Sequence, residues 1–513
     1  MAAGVDQLRE TAREGDRRLP GFATLAAAWV ALFALTVALY TPYLDAPYFS
    51  DDLAFYYYAP PPHLFDYFWM HGSAAHAYRP GEAIILTLIQ SHFGMNTLGI
   101  HLVAMAAHAS LCLMVWMAAW RLGYGRVQAL FGGALMLVTQ MGAPALLGND
   151  AMSQAVSAAL GGAACLILGI ACLDYAQNAS PKLPRGPLWA SALCYFASLF
   201  FKETALGLIL VMTLFLGLLA LGKERGHGAI RLFIGRLLPY GVLIGLYFAA
   251  RFSAGLPTSG GGQYRVQVGL NVIKNLAQFA MLAVSPISSV AAALAFQGRR
   301  FAVLGVMAAA ALLIAGTLAA GIHASRRKAL AALLAFCVVA ALFPALLLGH
   351  VSELYVYNAY AYIALLFALA LGALANRGYA GRAAMLFCSG LLLAGQVFAN
   401  RQKASLMNAN GEKAAALMAS LAPYIQRLPH NGEVWLIRDD KTAPGYSIYI
   451  LNGLDVLEFG EDRLGPMNGR PDVNVRIVPR GALTNAGRKD GRVVLELRNG
   501  SLAPAALPGG ASR

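Results

Sequence analysis

The chain has 513 residues, of which 58% are apolar and only 12% charged, with a formal net charge of +14. With a mean hydropathy of +0.58, that is more apolar surface than a soluble core can bury, so most of the chain must dissolve in lipid. The basic residues are scattered between apolar runs, as in loops that obey the positive-inside rule. This argues against nucleic acid and for lipid headgroups and phosphorylated substrates as the anionic partners.

In chain order, Arg9, Arg13, Arg17 and Arg18 precede an apolar stretch at 21–40. The stretch is too long for a signal h-region and no convincing cleavage site follows, so it reads as a retained first span with a cytoplasmic N-terminus. Further runs of spanning length lie at 96–120, 127–147, 152–175, 187–201, 203–221, 237–252, 301–322, 330–348, 355–375 and 383–398, about eleven crossings in all. Basic clusters at 121–126, at Lys182 with Arg185, at 223–236, at Arg326-Arg327-Lys328 and at 377–382 all face the cytoplasm if the stretch 271–296, interrupted by Ser285-Pro286, does not cross. That stretch is read as a re-entrant or interfacial helix on the outer side. All six cysteines sit inside apolar runs, where they are core filler and not a disulfide framework or zinc knuckle.

Near Arg401 the composition changes. A helix at 412–428 and short strands at 434–437, 447–451, 473–478 and 493–497 are expected to form a small α/β module. The tail after Gly500, rich in Ala, Pro, Gly and Ser, is expected to be disordered. The resulting division is a cytoplasmic segment 1–19, a membrane domain 20–400, an extracytoplasmic module 401–500 and a tail 501–513. The fold class is an all-α polytopic membrane protein carrying a small C-terminal α/β module.

Asp51 and Asp52 follow the first span and are succeeded by an aromatic run from Phe55 to Trp69, a density suited to a loop lying on the bilayer interface. Adjacent carboxylates with Tyr78-Arg79-Pro80 downstream suggest proton removal beside a bound phosphate. Arg79 offers a planar fork for phosphate oxygens, although a snorkelling arginine has the same sequence. The topology sends Asp51, Asp52, Asp150, Lys202, Glu203, Arg251, His350 and Glu353 to the outer ends of their helices. Each has a bland reading as well: Lys202-Glu203 as an ion pair closing a helical hairpin, and His101 with His108, seven apart on one helix face, as packing histidines.

In order and spacing these motifs resemble the GT-C superfamily of polyprenyl-phosphate-sugar-dependent glycosyltransferases, in particular the transmembrane O-mannosyltransferases and their bacterial relatives. The matching elements are Asp51-Asp52, Tyr78-Arg79-Pro80, Gly94 with His101-Leu102 and His108, Lys202-Glu203, and Glu353 with Tyr355 and Tyr357. Ala104 stands where that pattern has asparagine and Leu354 where it has arginine, and no tetratricopeptide array follows. The resemblance implies a GT-C-like fold, while Ala- and Gly-heavy usage without extracytoplasmic disulfides points to a bacterial inner membrane and the order of crossings puts the C-terminus on the periplasmic side. It also implies inverting transfer of a sugar from a polyprenyl-phosphate donor to an extracytoplasmic acceptor: a glycolipid, a polysaccharide or a protein. Asp51 or Asp52 is then the base, Arg79, Lys202 and Arg251 receive the lipid phosphate, and a divalent metal is permitted beside the acid pair. The alternatives are a transporter or flippase of lipid-linked glycans, for which ionisable groups at mid-membrane would be expected, and a non-catalytic membrane scaffold.

Overall fold

The computed structural model describes residues 19–57, 59–69, 78–177, 183–223, 226–255, 265–284, 288–438, 448–485 and 491–505. The N-terminal arginines, Lys182, the Ser285-Pro286 interruption, Ser447 and the tail beyond 505 lie outside these residues. The chain forms two compact units. A bundle unit comprises the described residues of Met1–Thr41, Leu102–Leu146 and Ala151–Gln402. A sheet unit comprises those of Pro42–His101, Leu147–Asp150 and Lys403–Arg513.

The helices follow the apolar runs. α1 (Phe22–Tyr40) is apolar on all sides and largely exposed, as a lipid-facing helix should be. α2 (Pro80–Phe93) carries the Tyr-Arg-Pro motif at its start, and α3 (Leu98–Arg121) carries both histidines. The stretch expected to cross at 127–147 is instead two helices, α4 (Arg126–Leu137) and α5 (Gly142–Leu147). Pro144 has no N–H to give the carbonyl of Gln140, so one helix cannot run through. Backbone freed inside an apolar protein needs other partners, and the buried amide of Gln140 donates to Gln396 Oε1 at 2.7 Å.

α6 (Asn149–Gln177) and α7 (Arg185–Leu199) follow. At 15 residues, α7 spans only ~22 Å, short of the ~30 Å hydrocarbon core. Next come α8 (Leu208–Lys223) and α9 (His227–Ser253). The stretch read as non-crossing forms α10 (Leu270–Val284) and α11 (Ser289–Gln297), each too short to cross. After α12 (Phe301–Ala324) and α13 (Lys328–Leu346), α14 (Glu353–Ala375) is the most enclosed helix, packed by α4, α10, α12 and α13. α12 reaches it at Gly321, where a Cβ would stand 2.7 Å from the carbonyl carbon of Ala370, a close approach that small residues permit between membrane helices. Among the described residues nine helices are long and apolar enough to cross a bilayer, where about eleven runs of spanning length were expected; the two that fall short are the broken α4–α5 segment and α7.

The expected boundary near Arg401 falls inside a single helix, α15 (Gly378–Arg427). Residues 401–410 include Arg401, Gln402, Lys403, Ala404, Leu406 and Met407 and no proline or glycine, so helix propensity carries through the change in polarity. Its last part buries Ala414, Leu417, Leu421 and Ile425 along one face within the sheet unit. β1 (Glu433–Arg438) is the central strand there. With α16 (Glu461–Met467), β2 (Asn474–Pro479), β3 (Arg492–Arg498) and β4 (Ser501–Pro504), it builds a four-stranded sheet of order β2-β1-β3-β4. β1 pairs in parallel with β2 and β3, and β4 closes the sheet antiparallel to β3. Residues 448–451 are not a strand, and the segment after Gly500, expected to be disordered, supplies β4.

Arg470 ends α15. Its guanidinium donates to the carbonyls of Ile425, Leu428 and Pro429 and pairs with Asp472 at 2.7 Å, placing a cation where orphan carbonyls collect. The Arg470 hydrogen bond, joined by His430, holds the Asp472 carboxyl well below the usual carboxylate range. A depressed folded value contributes stability above the unfolded pKa of about 3.9 and loses it as pH falls toward the folded value. Asp472→Asn is therefore expected to lower the melting temperature at pH 7, with the gap from the parent narrowing at pH 3; paired melting curves in detergent check this.

Candidate functional site

The acid pair opens a 3₁₀ helix, Ser50–Phe55, entered through Ser50 at φ 51°. Neighbouring residues of a 3₁₀ helix diverge by about 120°, so the two aspartates differ in environment: Asp51 is exposed while Asp52 is 7% exposed. Side chains three apart in such a helix eclipse one another, which puts Asp52 and Phe55 on the same side of the turn.

Arg79 meets the same ring. Pro80 takes the first position of α2 and excludes helical geometry from the residue before it, leaving Arg79 as the N-cap at φ −136°. Its guanidinium carbon is 5.9 Å from the Phe55 ring centroid, and Nη1 is 3.6 Å from Glu82 Oε2. Both side chains are buried, Arg79 at 7% and Glu82 at 0% exposure. Phe55, Arg79 and Glu82 thus form one buried group with an aromatic floor, and Asp52 is buried on the same short helix as Phe55.

Further along α2, Gln90 sets the end of the turn. Its amide donates to Tyr48 Oη and the Phe55 carbonyl, both at 3.1 Å, and its oxygen accepts from the Tyr57 amide at 3.0 Å. Tyr67 bonds Thr87 at 2.8 Å, and Tyr78 Oη donates to the Phe68 carbonyl at 3.2 Å. Burial pushes the phenols of Tyr48 and Tyr57 above their ordinary range, and the Glu82 charge adds to the rise at Tyr57. These hydroxyls stay protonated at neutral pH, so the carboxylates are the bases this cluster offers.

Behind the turn lies Gly460, just before α16. A Cβ there would stand 3.0 Å from the carbonyl carbon of Leu53 and 3.1 Å from the amide of Ala54, so Gly460 lets the acid-bearing backbone seat against the C-terminal segment. Gly460→Ala is expected to push the turn away and destabilise the protein by roughly 1–3 kcal/mol, the usual cost of overpacking a tight contact, which a melting curve beside the parent tests.

In the bundle unit, Lys202 is 3% exposed and caps the 3₁₀ helix Glu203–Gly207 in extended conformation. The hydroxyl of Ser157 donates to the carbonyls of Ser198 and Lys202 at 3.0 and 3.3 Å. Two residues on, Thr204 joins a closed triangle: Gln154 Nε2 donates to Asn358 Oδ1 at 2.6 Å, Asn358 Nδ2 to Thr204 Oγ1 at 3.3 Å, and Thr204 to Gln154 Oε1 at 3.3 Å. Asn358 lies one helical turn and a residue past Glu353, so the triangle sets Lys202-Glu203 and the start of α14 at the same end of the unit. At that end Glu353 accepts from Ser289, His350 Nε2 bonds Tyr355 Oη at 3.1 Å, and Arg251 lies in the last turn of α9. Asp150 lies in the first turn of α6, with its side chain outside the described residues.

The two histidines spend both ring nitrogens on protein partners. In the sheet unit, His101 faces the carbonyls of Leu44 at 2.7 Å and Leu147 at 3.0 Å. In the bundle unit, His108 meets Tyr357 Oη at 2.6 Å and the carbonyl of Leu137 at 3.1 Å. Leu137 and Leu147 are the last residues of α4 and α5, so these imidazoles sit against the carbonyl ends of the two broken helices.

Glu82, Gln90, Gly460 and the Gln154–Thr204–Asn358 triangle are not among the residues the sequence reading selected. Glu82 and Gln90 had a usable signal, being polar residues on an otherwise apolar helix, while Gly460 had none. Among the described residues no three His, Cys, Asp or Glu side chains gather as a metal-binding set.

No family model matches the sequence, and no curated protein does. Among solved structures the chain is similar to ArnT from Cupriavidus metallidurans in the apo state, at 14% identity and a TM-score of 0.50, over 92% of this chain and 93% of that one. ArnT bound to undecaprenyl phosphate aligns at 12% identity and 0.48, over the same shares of both chains. An oligosaccharyltransferase from Archaeoglobus fulgidus in the apo form aligns at 11% and 0.43, over 80% of this chain and 62% of that one. At such identities the likeness is one of fold alone.

Proposed function

We propose that the protein is an integral-membrane, inverting glycosyltransferase that moves a sugar from a polyprenyl-phosphate donor to a hydroxyl acceptor on the extracytoplasmic side of a bacterial inner membrane. What supports the reading is the buried group of Phe55, Arg79 and Glu82, with Asp52, itself buried, on the same short helix as Phe55. It holds a carboxylate and a guanidinium in apolar surroundings, where charge acts strongly on a reacting group. The likeness in fold to ArnT supports the reading by analogy, while the chemistry rests on the residues.

In this reading an acceptor hydroxyl gives its proton to Asp51 or Asp52 as its oxygen attacks the anomeric carbon. The bond from that carbon to the phosphate oxygen breaks on the opposite face, which inverts the configuration. The departing lipid phosphate keeps the bonding pair, and Arg79, Lys202 and Arg251 are the cations assigned to its charge. Because Asp51 and Asp52 diverge, a Mg²⁺ beside the substrate phosphate would be held through one of these carboxylates, where it would offset phosphate charge.

The test is purified protein in liposomes with a labelled polyprenyl-phosphate sugar and envelope acceptors. Label is expected to pass to the acceptor, with the product linkage opposite in anomeric configuration to the donor. Retention of configuration, or movement of the lipid-linked sugar across the bilayer without transfer, would refute the reading.

A further inference from the structure

Lys202 stands at a break between helices. α7 ends at Leu199, Lys202 is extended at φ −156° and ψ 132°, and the 3₁₀ helix Glu203–Gly207 intervenes before α8 begins. A break inside an apolar protein frees backbone groups that must find partners, and the Ser157 hydroxyl of α6 is shared between the carbonyls on either side, those of Ser198 and Lys202. At the other end Gly207 seats the 3₁₀ helix against α13, where a Cβ would stand 2.5 Å from the Ala340 carbonyl oxygen. Neither contact uses the ring of Gln154, Thr204 and Asn358.

In that ring each group donates once and accepts once, and all three bonds run from side chain to side chain. It satisfies no backbone group. Polar side chains that bond one another in the interior add little net stability, and apolar groups of the same shape could replace them at small cost. What a fully satisfied network does supply is a single fixed arrangement, here the spacing between α6, the Lys202 turn and α14. The polarity is also local. On α6 the buried polar side chains, Ser153, Gln154 and Ser157, fall in the first turns, and further on its buried face changes to Ala164, Cys165, Leu168 and Ala171. On α14, Asn358 is the one amide among the buried residues.

We propose that Gln154, Thr204 and Asn358 are positioning residues for Lys202: they hold its turn in register with α6 and α14, and through it the ammonium that meets the departing lipid phosphate. Their effect rests on the role proposed for Lys202 in transfer and reaches the chemistry only through that residue.

The experiment is a double-mutant cycle in the full chain between Asn358→Leu and Lys202→Ala. It is read in liposomes as the single-turnover rate with preloaded donor and, separately, as the dissociation constant of undecaprenyl phosphate, which needs no sugar transfer. Asn358→Leu opens the ring and is expected to slow turnover about 10- to 100-fold, since a small displacement of a positioned group is costly, and to weaken undecaprenyl phosphate binding about 10-fold. In the Lys202→Ala background the same change should cost no further rate or affinity. A second variant separates position from stability: Gln154→Met, Thr204→Val and Asn358→Leu together make the whole ring apolar, so the melting temperature returns toward that of the parent while turnover stays low. The proposal is overturned if Asn358→Leu leaves rate and affinity unchanged, if its loss is equally large with and without Lys202, or if the folded triple variant turns over like the parent. Coupling seen in undecaprenyl phosphate binding by a parent that transfers no sugar would support the ring's role and refute the transferase reading. Should Asn358→Leu fail to fold, the triple variant takes its place in the cycle.

Discussion

Asp52→Asn is expected to lower turnover by 10²- to 10⁴-fold, the range a positioned general base contributes, while donor binding and membrane insertion stay intact. The amide keeps the size of the carboxylate, but it cannot accept the acceptor's proton. Asp51→Asn tests the exposed neighbour in the same way. The double variant should be no slower than the slower single one, because residues that act as a unit do not add. Single-turnover rates with preloaded donor separate the chemical step from binding. Full rates in both single variants and the double would remove the base from the mechanism, whatever becomes of the fold.

Much of the architecture could be read from the sequence because lipid imposes a simple rule: long apolar runs without charge must be helices. α1, α3, α6, α12, α13 and α14 follow directly. The same rule misjudged 127–147, where counting apolar residues outweighed the single local signal, Pro144. At Arg401 the polarity changes while helix propensity does not, so α15 runs on through the change in composition. β4 was lost for a related reason: Ser501–Pro504 is short and opens a tail rich in Ala, Pro and Gly, and it finds its place as a strand against the edge of β3.

The candidate site divides along the same line. Asp51, Asp52 and Arg79 stand out as charges beside a membrane span, so composition alone draws attention to them. What locks the turn in place does not stand out, since Gln90 acts through the carbonyl of Phe55 and Gly460 through the backbone of Leu53. Both effects belong to packing between segments far apart in the chain. The histidines show the converse, as conspicuous ionisable groups in a membrane helix whose ring nitrogens are taken up by backbone ends and a tyrosine.

Lys202→Ala is expected to lower turnover from the lipid-linked donor by 10²- to 10³-fold, about 2.7–4 kcal/mol, the loss that follows removal of one preorganised charge stabiliser. Lys202→Arg should recover part of it, since charge is kept while the point-like ammonium is not. A structural role for Lys202 predicts something else. If the lysine serves only to balance Glu203 in the apolar interior, truncating it strands a buried charge and destabilises the fold by roughly 3–5 kcal/mol. Adding Glu203→Gln would then restore both stability and turnover. If Lys202 meets the departing phosphate, the second substitution restores the melting temperature and leaves turnover low. The two variants therefore separate folding from chemistry at one position, and recovery of full donor turnover in the Lys202→Ala, Glu203→Gln double variant would make this lysine purely structural.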